Sequence, residues 1–363
     1  MSTPGADAAE ETGFSRGLNR IFRTSMILVP FGVLLNLWIS WAATDRGVFR
    51  RFGELDRRYL YLGIVLALLP WITNTIRILV WARFIGHRLS FRDCFRITLG
   101  AELASSVFPT SSGGEVFRWG LMVQKGVTKG EAASIVTLGY LEDLCFFATA
   151  LPAAFVVSRA WELPVLRRMG REMRGEASGV LPLIVLGVVA VVALWQGALR
   201  GFLGRRVRYW SLRRAVRTRQ RSRKTRQDFR SVFALVRERG KWRFALTFAV
   251  TAIQWTSRYS VATAVAYFLG AQVDPVLFFL LQWVIFTAML FVPTPGAAGG
   301  AEAAFYLVYS ALLPASIVGI ATAGWRLLTF YLQLSLGAIL VIAMNVADAR
   351  ARRAEAGSPA PGG

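Results

Sequence analysis

Long apolar blocks separated by short polar segments dominate the pattern of this sequence. The apolar blocks cover residues 25–43, 60–82, 95–108, 132–158, 180–199, 244–270, 276–292, 303–313 and 316–346. Several of them have about the 20 residues that an α-helix needs to cross the hydrocarbon core of a bilayer. The pattern therefore predicts an all-α polytopic membrane protein.

Two of the polar interruptions are rich in residues that break helices. Residues 109–118 are Pro-Thr-Ser-Ser-Gly-Gly-Glu-Val-Phe-Arg, and residues 293–302 are Pro-Thr-Pro-Gly-Ala-Ala-Gly-Gly-Ala-Glu. A bilayer cannot hydrogen-bond free backbone groups, so a break at membrane depth must be buried in protein or line a polar cavity. We therefore expect two re-entrant helical hairpins, near residues 95–117 and 276–313, that meet at a central transport site.

Basic residues indicate how the chain is oriented. Residues 200–243 contain 17 Lys and Arg but only two acidic residues, Asp228 and Glu238, and basic segments beside membrane helices face the cytoplasm. Arginines near both termini place these ends in the cytoplasm too, whereas residues 159–178 are expected outside. These cytoplasmic and outside assignments are consistent with one another if each hairpin enters and leaves the membrane on the same side. The sequence thus predicts about six transmembrane helices plus two re-entrant hairpins in the inner (cytoplasmic) membrane.

The two halves of the chain repeat one order of elements. An apolar helix, a broken hairpin and a second apolar helix occur in residues 60–158 and again in residues 244–346, and the two units are expected to run in opposite directions. Such an inverted repeat is typical of secondary transporters. The predicted division is a cytoplasmic N-terminal arm (1–24), a first membrane half (25–199), a basic cytoplasmic loop (200–243), a second membrane half (244–346) and a disordered tail (347–363).

The formal net charge of +22 does not change this picture. The basic residues are concentrated beside a predicted helix, where they contact an anionic lipid surface, so nucleic-acid binding is not expected. One histidine and two cysteines supply no metal-ligand cluster, disulfide framework or hydrolytic triad. We therefore expect no cofactor and no enzymatic activity. The sequence is compatible with a homo-oligomer but does not require one.

Ionisable residues inside the apolar blocks mark the candidate site. Each costs about 2.5–3.5 kcal/mol at the bilayer centre unless it is paired or faces a wet cavity. The alternative is that these charges form structural ion pairs between helices, and Arg77 could also extend to the cytoplasmic interface. Glu102 also lies inside an apolar block, but it is not among the candidate substrate-binding residues. These are Arg77, Ser111, Ser112, Gly113, Gly114, Glu115, Arg118, Glu142, Asp143, Arg258, Pro293, Pro295, Gly296, Glu302 and Arg326.

A glutamate follows a Gly-Gly pair in both breaks, at Glu115 and Glu302. Glycine allows close approach of the backbone, so helix-terminal N–H groups could face an anionic headgroup. Each glutamate would then pair with Arg118, Arg258 or Arg326. The alternative is a glutamate favoured by the dipole at a helix N-terminus, beside hydroxyls that cap the same helix.

The two breaks and their surroundings resemble a known family. The patterns are Pro-x-x-x-Gly-Gly-Glu-x-x-Arg at residues 109–118, Gly-Val-Thr-x-x-Glu-Ala-Ala at 126–133, Pro-x-Pro-Gly-x-x-Gly-x-x-Glu-Ala-Ala at 293–304 and Trp-Arg-Leu-Leu-Thr-Phe-Tyr at 325–331. Together they resemble the lysylphosphatidylglycerol synthase transmembrane-region family, which includes the flippase half of multiple-peptide-resistance-factor proteins. The resemblance implies a stand-alone integral membrane protein that moves or binds lipids, with Glu115, Arg118, Glu302 and Arg326 matching the family's motifs.

The resemblance and the paired hairpins together indicate a lipid flippase-like transporter. Its substrate would be a membrane lipid or a lipid-linked headgroup. Arg258 and Arg326 are expected to hold the headgroup, and Glu115 and Glu302 to balance them in the empty site. Two other classes stay open: a non-transporting membrane scaffold that uses the basic loop to dock a partner, and an intramembrane enzyme that modifies lipids.

Overall fold

The computed structural model describes residues 55–107, 112–162, 215–292 and 294–357, and over these ranges it contains helices and no strand. Within this part of the chain, three helical segments are long and apolar enough to cross a membrane: Arg57–Ile85, Lys129–Val157 and Ala315–Asp348. The described ranges are therefore those of a helical membrane protein. The predicted helices at residues 25–43 and 180–199 lie outside the described residues.

Most of the described α-helices follow one another through short connections. In chain order they are α1 (Arg57–Ile85), α2 (Phe91–Val107), α3 (Ser112–Gln124), α4 (Lys129–Val157), α5 (Ala215–Arg239), α6 (Lys241–Phe268), α7 (Pro275–Met289), α8 (Gly300–Tyr309), α9 (Ala315–Arg326) and α10 (Leu332–Gly357). Residues 163–214, between α4 and α5, lie outside the described residues. A wider, π-type turn at Leu327–Tyr331 joins α9 to α10. The order of a long helix, two short helices and a further long segment occurs twice, in α1–α4 and in α6–α10.

Local capping explains where several helices begin. The Asp56 carboxylate accepts a hydrogen bond from the Arg58 backbone N–H at the start of α1. Thr128 and Glu131 form a reciprocal capping box at the start of α4, and Asp274 caps α7 directly before Pro275. Side-chain caps of this kind satisfy backbone N–H groups that have no partner within the helix. The polar residues between the apolar blocks thus fix the helix starts.

The first helices of the two units, α1 and α6, form the most extensive helix pair of the described chain. On one side of this pair, buried residues such as Trp81, Met122 and Val232 form a core among α1–α5. On the other side, Phe305 and Trp325 belong to a second core among α6–α9. Since apolar side chains from both units are buried against the pair, the two halves form one packed body.

The basic segment at 200–243, predicted as a loop, instead contains helix α5, and α6 begins within it at Lys241. Val232, Phe233 and Val236 of α5 pack into the α1–α5 core, and the Phe229 ring lies beside the Phe233 ring, with 4.9 Å between their centroids. Their i, i+3, i+4, i+7 spacing is that of an amphipathic helix. The charges of this segment predicted a connecting loop, and its apolar stripe indicates the helix within it.

Within the predicted disordered tail at 347–363, α10 continues to Gly357, and residues 358–363 lie outside the described residues. The segment is rich in Ala and Arg, which favour helices. Asp348 anchors it through ion pairs with Arg92 at 2.8 Å and Arg96 at 2.7 Å, both on α2. These ion pairs therefore connect α10 to the start of α2.

Candidate functional site

A cavity of about 450 Å³ lies between the two units and is lined by charged and apolar residues from both. This volume is within the range of small-molecule binding pockets. The charged residues that line it are Arg77, Glu102, Glu115, Arg118, Asp143, Arg258 and Arg326. The cavity therefore gathers ionisable side chains that the sequence scatters over more than 200 residues.

Arg77 of α1 has a partner at each of its three guanidinium nitrogens. Its Nε donates to Glu142 at 2.9 Å, its Nη1 to Gln254 at 3.1 Å, and its Nη2 to the Gly139 carbonyl at 2.7 Å. The same Nη2 lies 3.0 Å from Asp143 Oδ1. Arg77 of α1 is thus fixed by partners on α4 and α6.

Glu142 and Asp143 are neighbours in sequence but occupy different environments. Glu142 is fully buried behind Arg77 and does not line the cavity. Asp143 lines the cavity, is about one-quarter exposed, and accepts a hydrogen bond from Trp255 Nε1 at 2.9 Å. Of this predicted pair, only Asp143 can contact a molecule in the cavity.

Glu115 and Arg118 form an ion pair within the first turns of α3, with 2.8 Å between Arg118 Nη1 and Glu115 Oε1. Both side chains line the cavity. Within the described part of the chain, Arg118 Nε is buried without a hydrogen-bond partner. Gly114 brings α3 against α2, since a Cβ at this position would lie 2.7 Å from the Ala101 carbonyl oxygen.

Arg326 is held tightly at the end of α9. Its Nε lies 2.9 Å from Glu302 Oε1, its Nη2 donates to the Gly296 carbonyl, and its guanidinium lies over the Phe330 ring at 4.2 Å. Glu302 also accepts from the Gly299 N–H at 2.8 Å, so it caps α8 as well as pairing with the arginine. Arg326 is 2% exposed, which leaves it little freedom to move.

Arg258 of α6 has a looser environment. Its Nη2 lies 3.5 Å from Glu102 Oε2 of α2, and the two side chains are 20% and 21% exposed. Its guanidinium lies 5.7 Å from the Trp255 ring centre, a distance compatible with a cation–π contact. Arg258 and Glu102 thus connect the two units across the cavity.

Aromatic side chains form one wall of the cavity. Trp255 and Phe147 have ring centroids 4.8 Å apart, and Tyr259 stacks on Phe286 at 5.2 Å. All four rings line the cavity. The wall offers apolar surface next to the charged groups, so the cavity can accommodate a molecule with both a charged and an apolar part.

The cavity brings together seven of the predicted site residues, namely Arg77, Glu115, Arg118, Asp143, Arg258, Gly296 and Arg326. Gly113, Gly114, Pro295, Glu142 and Glu302 do not line the cavity, although Glu142 and Glu302 pair with arginines that do. Ser111 and Pro293 lie outside the described residues, and so does the side chain of Ser112.

Sequence reasoning left several lining residues out of the predicted set. On α2, Glu102, Ser105 and Ser106 all line the cavity. Their i, i+3, i+4 spacing places three polar side chains on one helix face, and this signal was present in the sequence. Asn74, Gln254 and Gln333 also line the cavity. Asn74 and Gln254 lie three and four positions before the predicted residues Arg77 and Arg258, so the same helical spacing could have found them.

Two comparisons with known proteins show the family of the chain. The chain is 23% identical over 290 residues to a UPF0104 membrane protein of Archaeoglobus fulgidus, a match that covers 78% of this chain and 85% of that protein. The family model described as "Lysylphosphatidylglycerol synthase TM region" matches residues 26–337, which confirms the resemblance seen in the sequence motifs. The protein is therefore a multi-pass membrane protein that belongs to the lysylphosphatidylglycerol synthase TM-region family.

Proposed function

We propose that this protein is a lipid flippase-like transporter that moves a lipid or a lipid-linked headgroup across the cytoplasmic membrane. The cavity between the two units would hold the headgroup, while the acyl or prenyl chains stay in the bilayer. Membership of a family of membrane proteins named for a lipid synthase is consistent with a lipid substrate.

The observation that carries the proposal is the charged cavity inside a bundle of apolar helices. Ionisable residues within a membrane are costly and usually face a polar pathway or one another. Here four arginines and three carboxylates converge on a space of about 450 Å³. A network of ion pairs with a purely structural role would leave no space between its side chains. A passage for a polar headgroup requires such a space.

The short helices support the re-entrant arrangement. At 1.5 Å per residue, the 17 residues of α2 span about 26 Å and the 10 residues of α8 about 15 Å, and the hydrocarbon core is about 30 Å thick. The pairs α2–α3 and α7–α8 each pack as neighbours. We therefore propose that each pair enters and leaves on one side, and that the two units form an inverted repeat.

The basic helix α5 supports the proposed orientation. It carries Arg residues along its length and packs on α4. Basic segments of this kind face the cytoplasm and contact anionic lipids. In this orientation both termini would be cytoplasmic, and α5 would rest on the inner surface of the membrane.

The proposed transport step is a rocking of the two units around the cavity. The arginines would bind the anionic part of a headgroup, and the aromatic wall would contact its apolar part. Since α1 and α6 form the main contact between the units, movement about this pair would open the cavity alternately to either side.

Reconstitution of the full chain in liposomes tests the proposal. The probe is phosphatidylglycerol with a fluorescent NBD label, and dithionite added outside destroys only label that reaches the outer leaflet. We expect wild-type protein to let dithionite destroy label from both leaflets, and Arg258→Gln to slow this loss at least tenfold. Arg243→Gln, an exposed arginine on the same helix α6, is the matched control and should behave like wild type.

Equal loss of label in empty and protein-containing vesicles would contradict transport of this probe. If a new lipid species appears in the same vesicles, the protein is an enzyme instead. If neither occurs and deletion of residues 213–230 abolishes a cellular phenotype of the gene, the scaffold is the better interpretation.

A further inference from the structure

The four arginines that line the cavity differ in how firmly their carboxylate partners hold them. Arg77 and Arg326 have carboxylates at 2.9 Å and additional backbone or amide acceptors. Arg118 has Glu115 at 2.8 Å on the same helix. Charge-assisted hydrogen bonds are strongest at 2.7–2.9 Å, so these three arginines are firmly committed to protein partners.

Arg258 is the exception among the described arginines of the cavity. Its carboxylate contact, Glu102, is 3.5 Å away through a single nitrogen–oxygen pair. This separation is at the limit for a hydrogen bond, although the two charges still attract each other. Both side chains line the cavity and are about one-fifth exposed. A molecule in the cavity can therefore reach both members of this pair.

The pair also joins the two halves of the protein. Glu102 lies on α2, in the first short-helix pair, and Arg258 lies on α6, the first long helix of the second unit. Trp255 limits the movement of Arg258, because its ring lies beside the guanidinium and its Nε1 donates to Asp143. When Arg258 changes partner, the contact between the units changes with it.

From these differences we infer that Glu102 is an exchangeable counter-ion for Arg258. In the empty cavity Glu102 neutralises Arg258, and the phosphate of an entering lipid displaces it and takes over the guanidinium. A guanidinium binds phosphate oxygens with two parallel hydrogen bonds, which the single 3.5 Å contact with Glu102 does not match. The inference rests on the proposed function, and it assigns to Glu102 a role in releasing the substrate.

This exchange has a consequence that separates it from a simple structural ion pair. If Glu102 competes with the phosphate, its removal should strengthen phosphate binding and slow release. If it only supports the fold, its removal should weaken binding or leave it unchanged. The two roles therefore predict opposite signs for the change in affinity.

The test is a titration of the purified full chain in an uncharged detergent with dihexanoyl phosphatidylglycerol, followed by tryptophan fluorescence. Dihexanoylglycerol, which lacks the phosphate, is the ligand control. We expect Glu102→Gln to lower Kd roughly five- to tenfold, within the usual range of coupling between two sites. Arg258→Gln should raise Kd at least tenfold, and the double variant should resemble Arg258→Gln because Glu102 acts only through Arg258.

Asp348→Asn is the matched control, since Asp348 also pairs with arginines of α2 but lies away from the cavity. It should bind the probe like wild type. Glu102→Asp, whose shorter side chain retreats from Arg258, should show the same change as Glu102→Gln to a smaller extent. The melting temperature of each variant shows that it is folded.

A Kd for Glu102→Gln that equals or exceeds that of the wild type would overturn the inference. So would a Kd below that of the wild type for the double variant with Glu102→Gln and Arg258→Gln. Absence of saturable binding by wild type and Glu102→Gln would also overturn it, since Arg258 must accept a phosphate. If the exchange is seen but NBD-lipid does not move in vesicles, transport fails and the exchange stands. If NBD-lipid moves and Glu102→Gln binds like wild type, transport stands and the exchange fails.

Discussion

Replacement of Glu142 by glutamine would test how the helices around the cavity are held together. Glu142 lies on α4 and is fully buried. Its carboxylate accepts hydrogen bonds from Arg77 Nε at 2.9 Å, Trp81 Nε1 at 2.7 Å, Thr247 Oγ1 at 2.6 Å and Thr251 Oγ1 at 3.3 Å. Because these donors come from α1 and α6, the carboxylate joins three helices at one point.

The size of the effect follows from these contacts. Loss of one member of a buried ion pair costs about 3–5 kcal/mol of stability. Glu142→Gln should cost somewhat less, about 2–4 kcal/mol, because Asp143 remains 3.0 Å from Arg77 and the amide oxygen can still accept hydrogen bonds. Glu142→Ala should cost more than Glu142→Gln, because it removes the acceptor of Arg77 Nε and Trp81 Nε1 altogether, whereas Thr247 can still donate to the Arg243 carbonyl.

Thermal unfolding of the purified full chain in detergent, monitored by tryptophan fluorescence, measures this difference. The matched control is Glu131→Gln on the same helix. The Glu131 carboxylate pairs with His87 at 3.0 Å and is about one-fifth exposed, so its neutralisation should cost at most about 1 kcal/mol. Glu142→Gln should therefore unfold several degrees below both Glu131→Gln and wild type.

Equal unfolding temperatures for Glu142→Gln and Glu131→Gln would refute this reasoning. A Glu142→Gln variant that is as stable as wild type but no longer binds lipid would show that Glu142 contacts the substrate directly. The cavity would then have to extend beyond Arg77 in the bound state.

Two glycines carry the remaining predictions. Gly114→Ala should cost about 1–3 kcal/mol and weaken lipid binding, because its Cβ would meet Ser105 and the Ala101 carbonyl oxygen, both of α2. Thermal unfolding and the lipid titration measure these two effects. Gly296→Ala should cost more, because Gly296 has a φ of +59° and its Cβ would meet the Phe330 ring. Left-handed backbone adds about 1–2 kcal/mol for a residue with a Cβ.

Each glycine has a control with open space around it. A Cβ at Gly120, also on α3, would meet nothing within 4 Å, so Gly120→Ala should be neutral or stabilising. Gly270 has a positive φ of +81°, like Gly296, but a Cβ there would meet nothing within 4 Å. Gly270→Ala should therefore lose only the stability that the strained backbone costs. Equal losses within either pair would mean that the close contacts described above do not limit stability.

The apolar pattern was enough to predict a helical membrane protein, and the predicted helix at 60–82 corresponds to α1 at Arg57–Ile85. The broken motifs around Gly113 and Gly296 were enough to predict the family, which the match over residues 26–337 confirms. The predictions of the fold class and of the family succeed because they depend on local properties, namely side-chain polarity and backbone freedom. The amphipathic stripe of α5 was local too, and the interpretation overlooked it.

The sequence by itself thus determined which residues are charged within the apolar segments, but only the tertiary structure decided their partners. Arg258 contacts Glu102, 156 residues earlier in the chain, and this choice depends on how α2 packs near α6. Glu142 and Asp143 are adjacent, and successive residues on a helix point about 100° apart. Which one faces the cavity and which is buried depends on the rotation of α4 against α1 and α6, which is set by packing between residues distant in sequence.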